Sequence, residues 1–458
     1  MFKEYIISHR DEMLQDLAKM IKIPSKLEGY DNLEYPFGKN IDNALNEFLK
    51  IAENLGFKTK NIDKHCGYVE FGEGKEIVGI IGHLDVVPEG EGWTYPPFEL
   101  TIKDDILYGR GTTDDKGPVI ASLYAMKAVM ENAAVHKRVR LIVGLNEEND
   151  WKCIKYYKEH EEMPTIGFSP DADFPCIYSE KALLTVYTEE KYEENDKIRI
   201  KEIDCKDNRV NVVPKYCAVK LEVNSHIAPE LKELLLSKVS ENVSFTKTEN
   251  FFYIETRGIQ AHAAHPELGK NAISKMIMIL NEICNRFDVE EKTIKLLATK
   301  IRNETNGESL GIKHPNKELG DLTLNLARLE LKEGNIKSAM NLRIPGDIDL
   351  AEIKEKITKS FNTIKIKFVG EKPALYIPKD NSLVQLLCKI YNEYTGENKE
   401  PLAIGGATYA RAFKNCVSFG AARPEESDMC HQVDEYITMK NLLDACNMYA
   451  LAIYELAK

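Results

Sequence analysis

The chain has 458 residues, 43% of them hydrophobic, which is long enough for two domains with buried cores. Its 61 basic and 73 acidic residues give a net charge of -12, which argues against nucleic acid or an anionic membrane as the main partner. No apolar run approaches the ~20 residues of a membrane span, and the N-terminal residues lack the apolar core of a signal peptide. We therefore expect a cytoplasmic protein.

The ten cysteines are scattered, without a CxxC pair or a regular framework. This pattern fits reduced thiols in a cytosolic protein, and it argues against structural zinc bound by thiolates. Each cysteine by itself is typical of a small, buried apolar residue.

The first part of the chain alternates predicted helices and strands. Helical spacing of apolar residues predicts helices at residues 2–21, 42–55 and 117–132, with a short one after Asn149. Apolar runs predict strands at residues 67–71, 77–82 and 139–145. Strands that alternate with helices predict an α/β fold, an open mixed sheet with helices on both faces.

The pattern changes near residue 183. Alternating strands are predicted at residues 183–187, 217–223 and 251–256, with helices at 228–239 and 270–287. A second block has a similar order, with strands at 322–331, 336–343 and 364–369 and a helix at 350–361. This stretch is interpreted as an inserted α+β domain.

The last part of the chain returns to the earlier α/β pattern. It contains a predicted helix at residues 382–394, a short strand at 416–420 and a helix at 440–457. We therefore expect one catalytic domain made of residues 1–181 and 377–458, interrupted by an inserted lid domain at residues 182–376.

Several predicted strands and one helix are bordered by side chains that could bind a metal. They are His83, Asp85, Asp114, Asp115, Glu147, Glu148, Asp171 and Asp173. In an open α/β sheet, sites are built at the carboxyl ends of the strands. So many carboxylates in one crevice would repel one another without a cation, so the set indicates a bound divalent metal.

A mixed histidine and carboxylate set suits zinc or manganese better than calcium, which prefers oxygen ligands alone. Two ions that share a carboxylate would lie ~3.5 to 4 Å apart and would activate water together. Hydrolysis is the natural use of such a centre.

The residues alone leave structural alternatives open. A single histidine is most often structural, although the nearby Asp85 and the strand-end position of His83 favour a ligand. The pair Glu147 and Glu148 could begin a solvated helix, and Arg343 could close a strand with a salt bridge. Two adjacent glycines, as at positions 405 and 406, could serve any tight turn.

Five features together resemble a known family. The segments HLDVVP, GRGTTDDKGP, NEEND and SPDADFP and a late single His431 resemble, in order and spacing, the di-zinc superfamily of aminoacylases, carboxypeptidases and dipeptidases. The resemblance covers essentially the whole chain and is closest to the PepV-type dipeptidases. It implies a metal-dependent dipeptidase that acts on dipeptides with a free C-terminal carboxylate and uses two zinc ions, with manganese as the alternative.

The resemblance also implies the metal ligands. Asp114 would bridge the two ions, His83 and Asp171 would complete one ion, and Glu148 and His431 would complete the other. The resemblance also implies that the peptide bond between Asp114 and Asp115 is cis, a strained conformation that persists where a functional site requires it.

Two further acids have implied roles beside the ligands. Asp85 would hold the ring of His83 through its other nitrogen. Glu147 would be the general base that takes a proton from water and gives it to the leaving amine.

The inserted domain supplies the implied substrate contacts. His262, in GIQAHAAHP, would stabilise the tetrahedral oxyanion, and His265 three residues later leaves open whether it shares that role. The residues that would hold the substrate's amide and carboxylate are Asn211, Arg343, Gly405 and Gly406.

Other functions stay open at this point. An N-acyl amino acid deacylase would use the same metal centre with a different pocket. A noncatalytic binding protein on the same fold is the alternative from another class, although a retained base at Glu147 argues against it. In relatives with a shorter insertion the histidine comes from a partner subunit, so the long insertion here predicts a monomer.

Overall fold

The computed structural model describes residues 2–30, 34–206, 209–423 and 429–458. The chain divides into two compact units. The first unit consists of Met1–Ser179, Leu375–Ala403 and Thr408–Lys458, and the second unit consists of Glu180–Ala374 and Ile404–Ala407.

The N-terminal part of the first unit contains five helices and nine strands among its described residues. The helices are α1 (Lys3–Ser8), α2 (Arg10–Ile21), α3 (Lys39–Asn54), α4 (Lys116–Asn132) and α5 (Lys152–His160). The strands are β1 (Lys58–Ile62), β2 (Cys66–Phe71), β3 (Ile77–His83), β4 (Thr101–Lys103), β5 (Ile106–Tyr108), β6 (Arg138–Gly144), β7 (Ile166–Ser169), β8 (Ala172–Asp173) and β9 (Ile177–Glu180).

The second unit consists of two antiparallel sheets with helices. Its strands are β10 (Ala182–Lys191), β11 (Ile198–Asp204), β12 (Tyr216–Val223), β13 (Val243–Thr248), β14 (Phe251–Arg257), β15 (Thr323–Lys332), β16 (Asn335–Ile344) and β17 (Lys365–Lys372). Its helices are α6 (Ala228–Leu236), α7 (Ala272–Phe287), α8 (Lys292–Lys300) and α9 (Leu350–Ser360). The sheet orders are β15-β16-β10-β17 and β11-β12-β14-β13.

The C-terminal part of the chain completes the first unit. Its elements are β18 (Leu375–Tyr376), α10 (Ser382–Thr395), β19 (Leu402–Ile404), β20 (Cys416–Ser418), β21 (Ala421–Ala422), β22 (Tyr436–Thr438) and α11 (Met439–Ala457). The main sheet has the order β1-β2-β6-β3-β7-β20-β9-β18, with β19 paired to β9. Its β6, β3, β7 and β20 are parallel neighbours and its β1, β2 and β9 are antiparallel. The predicted α/β class with a mixed sheet is confirmed.

The centre of the main sheet is covered on both faces. All 7 residues of β3 are buried, and successive side chains of a strand point to opposite faces. Helix α4 is buried along almost its whole length and packs against α11 and α2, which explains why its sequence is apolar on all sides.

None of the helices in the described ranges is long and apolar enough to cross a membrane.

Parallel register brings the candidate ligand segments to one edge of the sheet. Gly79 in β3 lies opposite Gly167 in β7, so His83 and Asp171, each four residues further on, end at the same level. His83 also lies opposite Gly144, the last residue of β6, and Glu147 follows that strand closely. The strand ends therefore deliver these side chains together.

Some predicted elements differ from the structure, and some observed elements were not predicted. The predicted helix over residues 2–21 is divided into α1 and α2 at His9, whose ring nitrogen Nδ1 lies 2.8 Å from the carbonyl oxygen of Tyr5. Strand β11 was not predicted, because a bulge between Ile200 and Glu202 interrupts the alternation of its apolar residues.

Replacing Gly167 with alanine should lower the free energy of unfolding by about 3 kcal/mol, because overpacking against backbone is poorly relieved. A Cβ at Gly167 would lie 1.9 Å from the carbonyl oxygen of Gly79. Gly396, with a φ of +78° and nothing within 4 Å of an added Cβ, is the control, and its alanine variant should lose only about 1 kcal/mol. Urea denaturation measures the free energy of unfolding of both variants, and equal losses of stability would contradict the prediction.

Candidate active site

The candidate metal ligands come from five places in the first unit. His83 ends β3 and Asp171 follows β7, while Glu148 follows β6. Asp114 lies between β5 and α4, and His431 lies shortly before β22. Strand β22 pairs antiparallel with β5, and this pairing brings the last two segments together.

Five side chains form two groups that share Asp114. In one group, Nε2 of His83 lies 2.9 Å from Oδ1 of Asp114 and 3.7 Å from Oδ2 of Asp171. In the other, Nε2 of His431 lies 3.1 Å from Oδ2 of Asp114 and 3.1 Å from Oε2 of Glu148. One ligand atom from each residue of a group lies within 4.8 Å of the others. The shared carboxylate thus presents one oxygen to each group.

The charges of these groups fit a divalent cation. Burial, with the charge of Asp114 adding to it, raises the pKa of Asp171 well above its ordinary value and that of Glu148 to about 7. Burial would lower the pKa of His83, but its hydrogen bonds to Asp114 and Asp85 raise it well above the ordinary value. The raised pKa values show that these crowded, buried carboxylates need positive charge nearby, from a bound proton or a charged imidazole. A divalent cation would supply that charge. Two imidazoles with three carboxylates suit zinc or manganese.

Asp85 is completely buried and contacts both the histidine and the two glutamates. Its carbonyl oxygen lies 2.8 Å from Nδ1 of His83, whereas its carboxylate oxygen Oδ1 is 3.5 Å from that nitrogen. The carboxylate instead accepts the backbone N–H groups of Glu147 and Glu148, at 3.0 and 3.1 Å. The contact to the ring that the sequence predicts is therefore made mainly by the backbone, because the carboxylate is engaged elsewhere.

The candidate base and the Asp114–Asp115 peptide are fixed by further contacts. Glu147 is buried, and its carbonyl oxygen accepts the indole N–H of Trp151 at 2.8 Å. The peptide bond between Asp114 and Asp115 is cis, and Asp115 accepts the backbone N–H of His83 at 3.1 Å. The cis peptide that the resemblance implies is thus present beside the two groups of candidate ligands.

Asn211 and His262 lie on neighbouring segments of the second unit. Val212 forms an antiparallel bridge with His262, and the backbone N–H of Ala263 donates to the carbonyl oxygen of Asn211 at 2.8 Å. The ring of His262 accepts the N–H of Ala264 at 3.3 Å. The two predicted residues are therefore brought side by side.

Arg343 and the glycines also belong to the second unit. Nη1 of Arg343 donates to the carbonyl oxygen of Gly405 at 3.1 Å, and its Nε donates to Asn341 at 3.1 Å. A Cβ on Gly405 would lie 2.9 Å from the Cβ of Ala264, so this loop approaches the segment of His262. Gly406 follows in the same loop.

His265 is placed differently from His262. Its side chain is exposed, and Nδ1 lies 3.4 Å from a carboxylate oxygen of Glu267. It does not take part in the bridge to Val212, so the segment contacts favour His262 as the residue beside Asn211.

Two residues at the site were not identified from the sequence. Glu435 is completely buried, and its carboxylate accepts three backbone N–H groups of the loop that carries Asp114. Arg110 is also buried and donates to Glu435 at 2.7 Å. The available signals were an acid four residues after His431 and an arginine between two glycines, and neither is specific by itself.

Comparisons with known proteins found a family that matches most of the chain and relatives similar to it over its whole length. Residues 79–455 match the model of "Peptidase family M20/M25/M40". "Putative dipeptidase YtjP" of Bacillus subtilis (strain 168) is 34% identical over 461 residues, covering 99% of this chain and 99% of that protein. "Putative dipeptidase SAR1836" of Staphylococcus aureus (strain MRSA252) is 32% identical over 467 residues, covering 100% of this chain and 99% of that protein.

Solved structures share the fold. Human carnosine dipeptidase 1 has a TM-score of 0.60 at 15% identity, covering 99% of this chain and 98% of that chain. The dipeptidase Dug1p from Saccharomyces cerevisiae has a TM-score of 0.60 at 14% identity, covering 100% and 98%. Given the family match over most of its length and relatives above 30% identity, the chain belongs to peptidase family M20/M25/M40 and is a metallopeptidase.

Proposed function

We propose that this protein is a metal-dependent dipeptidase that hydrolyses the amide bond of dipeptides with a free C-terminal carboxylate. The observation that carries this proposal is the carboxylate of Asp114 shared by two ligand groups, with the buried Glu147 in the segment that also supplies Glu148. The names of the relatives at 34% and 32% identity support the substrate class.

In this proposal, His83, Asp114 and Asp171 hold one ion, and Asp114, Glu148 and His431 hold the other. When bound, the two cations supply the Lewis acidity that makes water nucleophilic at neutral pH and polarises the scissile carbonyl. Asp85 keeps the ring of His83 and the backbone of the glutamates in place.

Glu147 accepts a proton from the attacking water and later gives a proton to the leaving amine. A carboxylate suits both steps because its ionised form accepts a proton and its protonated form can then donate one. The indole of Trp151, which donates to the backbone of Glu147, keeps this residue in position.

The second unit supplies the proposed substrate contacts and acts as a lid. His262 donates a hydrogen bond to the developing oxyanion, and Asn211 holds the substrate's amide. Arg343 makes a forked contact with the free carboxylate, which the backbone of Gly405 and Gly406 also approaches. The pairing of these segments within the second unit supports this assignment.

We further propose zinc as the physiological metal, with manganese as the alternative, in a cytoplasmic monomer. Two imidazoles among the ligands support zinc. All ten cysteines are free, which supports a reducing compartment. The monomer follows from the insertion, which would supply His262 within the same chain.

Replacing Glu147 with glutamine should lower kcat about 10²- to 10⁴-fold while both metal ions remain bound, because general acid–base catalysis is lost without loss of a ligand. Dipeptide turnover and metal content measured on the same preparation test this. Glu148→Gln is the contrasting variant and should lose metal. Wild-type turnover by Glu147→Gln would remove Glu147 from the role of base.

Removing the metal with a chelator should abolish dipeptide hydrolysis, and adding zinc or manganese should restore it. Calcium should not restore hydrolysis, because it disfavours imidazole ligands. The thermal midpoint should rise when metal is added back, since the ions bind the native state. Full activity in preparations shown to contain no metal would exclude the metal-dependent mechanism.

Replacing Arg343 with lysine should lower kcat/KM for dipeptides about 10- to 100-fold, because charged hydrogen bonds of ~1.5 to 3 kcal/mol are lost with the guanidinium fork. Dipeptides amidated at the C-terminus should be poor substrates for both proteins and should show little difference between them. Arg328→Lys, in β15 of the second unit, is the control and should resemble wild type.

The same substrate panel should include N-acyl amino acids. Cleavage of these compounds without cleavage of dipeptides would indicate a deacylase, and cleavage of neither by the metal-loaded protein would overturn the hydrolase proposal.

A further inference from the structure

The loop that carries Asp114 is held by one buried carboxylate. Oε1 of Glu435 accepts the backbone N–H groups of Gly111 at 3.0 Å, Thr113 at 2.9 Å and Asp114 at 3.1 Å. Its other oxygen accepts Nη1 of Arg110 at 2.7 Å. Glu435 is 0% exposed, so water does not take the place of any of these contacts.

Arg110 extends this arrangement to another segment of the site. Its side chain is buried, stacks on Trp93 at 5.1 Å from the ring centroid, and donates through Nη2 to the carbonyl oxygens of Pro88 and Glu89, both at 3.3 Å. These residues follow the segment that contains His83 and Asp85. The arginine therefore joins the loop after β3 to the loop after β5.

Backbone contacts join the segment of Glu435 to the same loop. The N–H of Gly109 donates to the carbonyl oxygen of Glu435 at 3.0 Å, and Oγ1 of Thr113 donates to that of Tyr436 at 2.6 Å. His431 lies four residues before Glu435 in the chain. Three segments that supply ligands to the two groups thus meet at one Arg–Glu pair.

We propose that Glu435 is a positioning residue of the metal centre. Its carboxylate, paired with Arg110, fixes the backbone from Gly111 to Asp114 and so keeps one carboxylate oxygen of Asp114 directed to each of the two ligand groups. Glu435 itself binds no ion. This inference rests on the proposed metal-dependent function, which it deepens by naming what orients the shared ligand.

A glutamine at position 435 retains one oxygen but turns an N–H₂ group either toward the three backbone donors or toward Arg110. One set of contacts is lost in either case, while the shape of the side chain is kept. The backbone of Asp114 should then become less constrained, and residues that orient metal ligands typically change metal affinity 10- to 100-fold.

The matched control is another buried arginine–glutamate pair of the first unit. Nε of Arg140 donates to Glu70 at 2.7 Å, and the two side chains are 3% and 14% exposed. They belong to β6 and β2. Arg140 lies near the start of β6, whereas Glu147 follows the other end of this strand, after Gly144. Glu70→Gln thus removes a similar ion pair away from the metal ligands.

The test compares wild type, Glu435→Gln and Glu70→Gln by three measurements on the full-length protein. These are zinc affinity by competition with a chelating dye, hydrogen exchange of the peptide containing Gly111 to Asp114 in the metal-free protein, and thermal midpoint. We expect Glu435→Gln to bind zinc 10- to 100-fold more weakly and to exchange this peptide at least tenfold faster. Glu70→Gln should keep zinc affinity within twofold and leave the exchange of this peptide unchanged.

Zinc affinity within twofold of wild type in a folded Glu435→Gln protein would overturn the proposal. An equal loss of zinc affinity in Glu70→Gln would also overturn it, because the effect would then follow from stability alone. If Glu435→Gln does not fold, Arg110→Lys replaces it and should weaken zinc binding at least fivefold; unchanged affinity there rejects the proposal. If the wild-type protein binds zinc but cleaves no dipeptide, the proposed function is wrong, whereas the role of Glu435 in zinc binding is still tested by these affinities.

Discussion

Asp114 lies between two histidines, with one carboxylate oxygen 2.9 Å from His83 and the other 3.1 Å from His431. Asp171 and Glu148 complete the two groups at the same edge of the sheet. Carboxylates brought this close in a buried site repel one another and lose hydration, so their arrangement favours a bound cation. A divalent cation that relieves this repulsion can also activate water for hydrolysis.

The fold meets this constraint with elements that are rigid and distant in sequence. Parallel pairing of β3 with β6 and β7 fixes the level at which His83, Asp171 and the two glutamates leave the sheet. Pairing of β5 with β22 brings the loop of Asp114 to the segment of His431. The strands set the positions of the segments, and backbone N–H groups that donate to the carboxylates of Asp85 and Glu435 set the orientation of the backbone within them.

Local patterns predicted the elements whose burial is uniform or strictly periodic. The run at residues 77–82 became β3 (Ile77–His83), and the apolar stretch after Lys116 became the buried α4. Elements that depend on neighbours were missed: β11 carries a bulge at Ile200 and Glu202, and β13 is a largely exposed edge strand. The bulge interrupts the alternation of buried and exposed residues in β11, and most of β13 is exposed, so neither strand shows a clear apolar pattern.

The sequence by itself determined the donor chemistry, the α/β class and, through five motifs, the family, because these depend on residue types and on spacing along the chain. The tertiary structure decided which atoms meet. Asp85 faces His83 with its carbonyl oxygen and the glutamates with its carboxylate, and Glu435, over three hundred residues from Gly111, closes on the loop of Asp114. Hydrogen bonds between segments so far apart follow from packing, which no local pattern contains.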